Sequence, residues 1–342
     1  MLKVQTDFLK FNDELKLLLK THKMSQKELA MRLGLSLKHM NTILKGDINE
    51  LTVNVLEGLE YVFNLKSGTL SEKYYIYKNK QIISGLKDKV KNYLNEYGIN
   101  FLIQNPQLSS PFNIFIQDNM YDYEKLMALK KFYGVSNLED YKLYLDEHVL
   151  AEFKKFHDKP NTYVWIRFCE LGVDPYEPVG TFRSNEHTPA IKKALNIMSS
   201  AKPFNEKVSL LKLFLRKKGI VLVTKKFIED SMIRGITIKK GAKRFIFLSD
   251  MYQRECFIFF TLLHEIVHCY FPKKTEEEID NYVIEEYDKW EKQTITQYKA
   301  IYDAISCYNS AKWQTQKNPN ANVSYIWETL QLKYPKVTFE EE

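Results

Sequence analysis

The residues with the most evident chemistry are His264-Glu265-Ile266-Val267-His268, inside the apolar run FIFFTLLHEIVHCYFP (257–272). Two histidines four residues apart lie one above the other on a helix face, so both imidazoles can reach one tetrahedral ion. Glu265, next to the first histidine, is placed to take a proton from a water polarised by that ion and pass it to a leaving amine. Zinc suits the pattern, because it lowers the pKa of water it binds to about 7 and so supplies a nucleophile at neutral pH. The apolar surroundings strengthen the reading. Ionisable side chains buried without partners are costly, and a bound cation supplies the partner. Zn2+ is therefore the expected cofactor, with Glu265 as the expected catalytic base.

A catalytic zinc site needs a third protein ligand and an open fourth position. KKTEEEIDNY (273–282) follows Pro272 and offers Glu276, Glu277, Glu278 and Asp280. Thr275 is an expected helix N-cap with Glu278 as its capping-box partner. On that helix Glu276 would reach the ion. Asp280, one turn on, would accept a hydrogen bond from a ligand histidine. Glu276 is the favoured third ligand, with Glu277, Glu278 and the more distant Glu285 left open. The plainer reading of the acidic cluster is that it complements the positive end of its own helix.

A second constellation lies near the N-terminus, in SQKELAMRLGLSLKHMNTILKG (25–46). Ser25 with Glu28 reads as a capping box and Ser36 as a second N-cap, so two short helices are expected on either side of a tight turn at Gly34. Leu29, Ala30 and Leu33 would face inward from the first helix, and Met40, Ile43 and Leu44 from the second. Lys38, His39, Asn41, Thr42 and Lys45 then point outward with no acidic residue among them, as a recognition helix in a major groove requires. Gln26 is placed to contact a phosphate. The expected partner is double-stranded operator DNA, bound as a homodimer because such modules read paired half-sites.

These residues must be positioned by 342 residues of chain, enough for two or three units. Charged residues at 27% and a net charge of +7 are ordinary for a globular protein and do not by themselves demand nucleic acid. The cysteines Cys169, Cys256, Cys269 and Cys307 stand far apart with no CxxC pair, which argues against a disulfide framework and against thiolate ligation. No signal-peptide core and no apolar run of about 18 residues is present, so a cytoplasmic protein without membrane contact is expected. Residues 12–66 read as short helices and 71–157 as helical with a loop at 105–113. HDKPN (157–161) marks a break, and three strand-like runs follow at 219–224, 234–240 and 243–249. A helix from about 255 to 270 stops before Pro272. The expected class is α+β and mainly helical. The expected division is an all-α helix-turn-helix domain over 1–70, a helical connector over 71–160, a metallopeptidase domain with a small sheet over 161–290, and a helical extension over 291–342.

Taken in order, the motifs resemble a known combination. Residues 25–46 look like the Cro/lambda-repressor type of helix-turn-helix found in HigA-like antitoxin regulators. YVWIRFCELG (163–172), KKGIVLV (217–223), the run 245–271 and EEEIDNYV (276–283) resemble successive segments of the ImmA/IrrE zinc metallo-endopeptidases. FYGVSNLEDYKLYL (132–145) looks like the connecting region of such fusions. The resemblance implies a zincin-like fold, with His264, His268 and Glu276 as ligands and Glu265 as general base. It implies a DNA-binding transcriptional regulator whose endopeptidase cleaves a repressor-type protein, or the chain itself, to switch expression. The alternative is a non-catalytic antitoxin or repressor with a degenerate or ligand-sensing zinc-site domain. Glu276 follows His268 by only eight positions, fewer than relatives carry there, and the segment 284–342 departs from the family pattern.

Overall fold

A computed structural model describes residues 10–46, 50–150, 159–176, 179–295 and 297–340. The expected break at 157–161 lies partly outside them. The chain divides into two compact units. The first comprises Met1–Leu94 with Ile116–Ala128, and the second Asn95–Phe115 with Leu129–Glu342.

In the first unit, helices α1 (Phe11–Thr21), α2 (Gln26–Arg32), α3 (Leu37–Lys45), α4 (Val53–Val62) and α5 (Thr69–Leu86) surround one small core. Leu15, Leu29, Met40 and Leu59 are fully enclosed at its centre. Ser25 and Ser36 cap α2 and α3 by accepting from Glu28 N and His39 N, each at 3.1 Å. The first cap is only half a capping box, because the Glu28 carboxylate turns away to pair with Arg32 at 2.8 Å. Gly34 makes the turn with φ +66°, a conformation in which a Cβ would be strained. The buried Glu60 carboxylate accepts from the amides of Gly68, Leu70 and Ser71. It thereby satisfies orphan donors at the start of α5, and those hydrogen bonds hold its carboxyl below the usual range against the effect of burial.

Helices α6 (Val90–Asn95), α7 (Ile99–Gln104), α8 (Pro106–Ser109), α9 (Asp122–Tyr133) and α10 (Leu138–His148) follow. The expected loop at 105–113 is instead α8 and a 3-10 turn over Ser110–Phe112, with Pro106 at the first helical position, where its missing N–H costs nothing.

The second unit holds α11 (Pro160–Leu171), α12 (His187–Met198), α13 (Phe204–Lys217), β1 (Ile220–Lys225), β2 (Gly235–Lys240), β3 (Lys243–Ser249), α14 (Glu255–Tyr270), α15 (Glu276–Thr294), α16 (Lys299–Lys317) and α17 (Ser324–Lys333). The sheet order is β1-β3-β2, with β1 parallel and β2 antiparallel to the central β3. Ile220, Leu222, Ile246 and Leu248 pack into one core with α12, α13, α14 and α15. The largely apolar sequence of α14 is thus explained, since twelve of its residues are buried, Glu265 and His268 among them. The fold is mainly helical with a small sheet. Among the described residues no helix is long and apolar enough to cross a membrane.

Candidate functional site

α14 presents His264 and His268 one turn apart, with Nε2 atoms 2.9 Å from each other. The chain then reverses within residues 271–275, where Lys274 N donates to Phe271 O. Thr275 caps α15 and exchanges a reciprocal capping box with Glu278, which fixes the phase of that helix. A spacing of eight positions therefore suffices for the return. Glu276, first in α15, places its carboxylate 3.2 Å from His264 Nε2 and 3.5 Å from His268 Nε2. Asp280, one turn on, accepts from His264 Nδ1 at 2.7 Å.

The other acidic candidates lie elsewhere. Glu277 pairs with Lys312 at 2.7 Å, Glu278 is spent on the cap, and Glu285 is exposed. Among the described residues, the group able to hold a metal ion is His264, His268 and Glu276, with ligand atoms all within 4.8 Å of one another. Zinc–ligand bonds of about 2.0–2.1 Å put tetrahedral edges near 3.3 Å, close to the separation of the two histidine nitrogens and to that of His264 Nε2 from the nearer Glu276 oxygen. Because His264 gives its Nδ1 proton to Asp280, Nε2 is the nitrogen that would face an ion, which would take the place of the proton shared with Glu276. His268 Nδ1 has no partner among the described residues, so that ring is held by burial and by what its Nε2 meets.

The electrostatics point the same way. Burial disfavours charge on His264, yet hydrogen bonds to Asp280 and Glu276 outweigh it and push its pKa up to about 10. Hydrogen bonds from His264 and His268 hold the Glu276 carboxyl well below the usual carboxylate range. Three carboxyl groups surround two imidazoles in a largely buried space, an arrangement that attracts positive charge.

Glu265 is 4% exposed and follows His264 on α14, close enough for its charge to act on that imidazole. Its Oε2 accepts from the Thr237 hydroxyl at 2.7 Å, and that hydroxyl also contacts Glu265 O at 3.1 Å. Gly235 on the same strand lets the side chain approach, since a Cβ there would stand 2.9 Å from Glu265 Cγ. Spacing along α14 gives no sign of Thr237. Only the strand register places a polar residue of RGITIKK toward the helix. Tyr308 of α16 was equally hidden. It shares the Asp280 carboxylate, and burial together with that carboxylate pushes its hydroxyl above the ordinary tyrosine range.

Further away, Glu170 of α11 is a buried hub. It accepts from Tyr141 and Tyr144 at 3.1 Å each, from Arg167 at 3.1 Å and from Lys240 of β2 at 2.9 Å. Trp165 is fully buried and donates to Lys226 O at 3.0 Å.

In the first unit, Gln26, Lys38, His39 and Lys45 are exposed, whereas Asn41 and Thr42 are half-buried. The Thr42 hydroxyl donates to Lys38 O at 2.9 Å, so its proton is spent inside the helix and only its acceptor capacity faces outward.

Residues 14–72, from α1 to the start of α5, match the model of the Cro/C1-type HTH DNA-binding domain. No curated protein and no solved structure matches the chain.

Proposed function

We propose that the chain is a DNA-binding regulator whose second unit is a zinc-dependent endopeptidase, acting on a repressor-type protein or on the chain itself. The DNA-binding part rests on the Cro/C1-type domain at 14–72. The peptidase part rests on the convergence of His264, His268 and Glu276 beside the buried Glu265, together with the ordered resemblance to ImmA/IrrE enzymes.

A bound zinc ion would supply the Lewis acid that polarises water and the scissile carbonyl. The remaining work belongs to the side chains. His264, His268 and Glu276 would hold the ion, and Asp280 orients His264 so that Nε2 faces it. Glu265 would act as general base and later return the proton to the departing amine. Thr237 anchors one of its oxygens and leaves Oε1 to accept that proton. Burial of the carboxylate keeps it from bulk water, where its proton would be lost.

The test is a Glu265→Gln variant with its zinc content measured. The expected result is retained zinc and loss of hydrolysis of peptides and repressor-type proteins. Full hydrolysis by that variant would overturn the assigned role. Zinc bound by the unaltered chain without cleavage of any peptide would select the non-catalytic repressor reading.

A further inference from the structure

β2 forms one edge of the sheet. The outer side of such a strand offers unpaired main-chain groups to any extended peptide. Ser249 N donates to Arg234 O, and the register pairs Ile236 with Phe247 and Ile238 with Phe245. Hydrogen-bonded pairs alternate in an antiparallel ladder. The main-chain groups of Ile236 and Ile238 therefore turn toward β3, and those of Gly235, Thr237 and Lys239 turn outward. Two of these outward residues are the ones that meet Glu265. Thr237 bonds its carboxylate, and Gly235 lets it approach. A peptide added along this edge would run beside the candidate base and metal ligands.

The chain has already placed a segment of its own there. Just past α10, Val149 forms an isolated antiparallel bridge with Ile238, and Leu150 N donates to Thr237 O at 2.9 Å. From Val149 to Leu150 the chain advances from Ile238 toward Thr237, and hence toward Glu265. The attachment is slight. Among the described residues it is a single bridge rather than a ladder, and Val149 and Leu150 are half-buried, while Tyr141 and Leu145 anchor α10 in the core.

We propose that residues 149–150 are an autoinhibitory strand, seated on the β2 edge in the place of an extended peptide substrate. They occupy the Thr237 carbonyl that such a peptide would use, and the site becomes accessible when they are displaced. This rests on the peptidase reading above.

The experiment uses the full-length, zinc-loaded chain. Leu150→Pro removes the donating N–H, and Val149 already has the extended backbone (φ −74°, ψ 132°) that a residue before proline favours. Leu150→Ala keeps the N–H and serves as control. With a fluorogenic peptide, Leu150→Pro is expected to raise kcat/KM roughly 2- to 10-fold, the effect of releasing one hydrogen bond, while Leu150→Ala stays near the unaltered chain. In parallel, amide exchange at Leu150 is followed in the unaltered chain with and without a zinc-chelating peptide hydroxamate. Loss of Leu150 protection on saturation with the hydroxamate supports the proposal and does not depend on either variant folding.

Unchanged kcat/KM in a folded Leu150→Pro variant, or persistent Leu150 protection under saturating hydroxamate in a chain that hydrolyses peptides, would overturn it. Self-cleavage at 149–150 would also overturn it, since the segment would then be substrate rather than strap. If the hydroxamate displaces Leu150 but no form hydrolyses any peptide, the peptidase reading alone fails and the competition for the edge stands.

Discussion

Asp280 decides which nitrogen of His264 is left to bind, because the proton it accepts fixes the tautomer. Removing a partner of this kind commonly weakens metal binding by about 10- to 100-fold. Asp280→Ala is expected to show a loss in that range in a competitive zinc titration, and Glu276→Ala a larger one. Equal affinities for Asp280→Ala and the unaltered chain would mean that burial alone orients the ring. Thr237 acts on the other function. Thr237→Val leaves a buried carboxylate oxygen without its donor, a cost of about 1–3 kcal/mol, and is expected to lower turnover while zinc content stays unchanged. Which of these residues can be seen in the sequence depends on how far apart they lie. Asp280 and Glu276 share a helix face whose phase Thr275 sets, so a reader of the sequence can place both. Among the neighbouring carboxylates that choice stays open until the reversal at 271–275 is known. Thr237 comes from a strand 28 residues upstream, and no local pattern points to it.

Elements are held in register by buried polar hubs, and Glu170 is one of them. It joins α10, α11 and β2. Burial raises its pKa, but Lys240 and Arg167 lower it further, so the folded value lies below the ordinary one. A carboxyl depressed in the folded state stabilises the protein above its unfolded pKa of about 4.3, and that contribution is lost as pH falls through the folded value. Acid unfolding is therefore expected to steepen below about pH 4, and Glu170→Gln to flatten that slope and to cost about 3 kcal/mol at neutral pH. Denaturant titrations at several pH values would check both. In the DNA-binding unit the short helices were legible because serine caps and a turn glycine punctuate them. The half-buried state of Asn41 and Thr42 was not, since a helical wheel does not show what covers its flanks. Lys38→Ala is expected to weaken operator binding uniformly across sequences and to reduce the salt slope by about 1. A change confined to one base position would instead make Lys38 a base reader.

For the whole molecule, all four tryptophans (Trp165, Trp290, Trp313 and Trp327) fall in the second unit, so their fluorescence follows that unit alone. Zinc at about 100 times its Kd is expected to stabilise that unit by about 2.7 kcal/mol and to raise its fluorescence-detected Tm by several degrees, with EDTA reversing the shift. No shift would argue against a native zinc site. The reversal at 271–275 carries a further consequence for the order in which the site assembles. His264 and Glu276 are only twelve positions apart in the chain, so closing the ligand set costs little loop entropy. Glu265 reaches its anchor only once β2 has joined the sheet, a more distant contact in the chain. During synthesis or after partial unfolding, the helical pair can capture an ion before the base is aligned. On the proposed peptidase reading, metal loading and catalytic competence would then be separate events, and a chain with a loosened sheet would hold zinc while remaining inert.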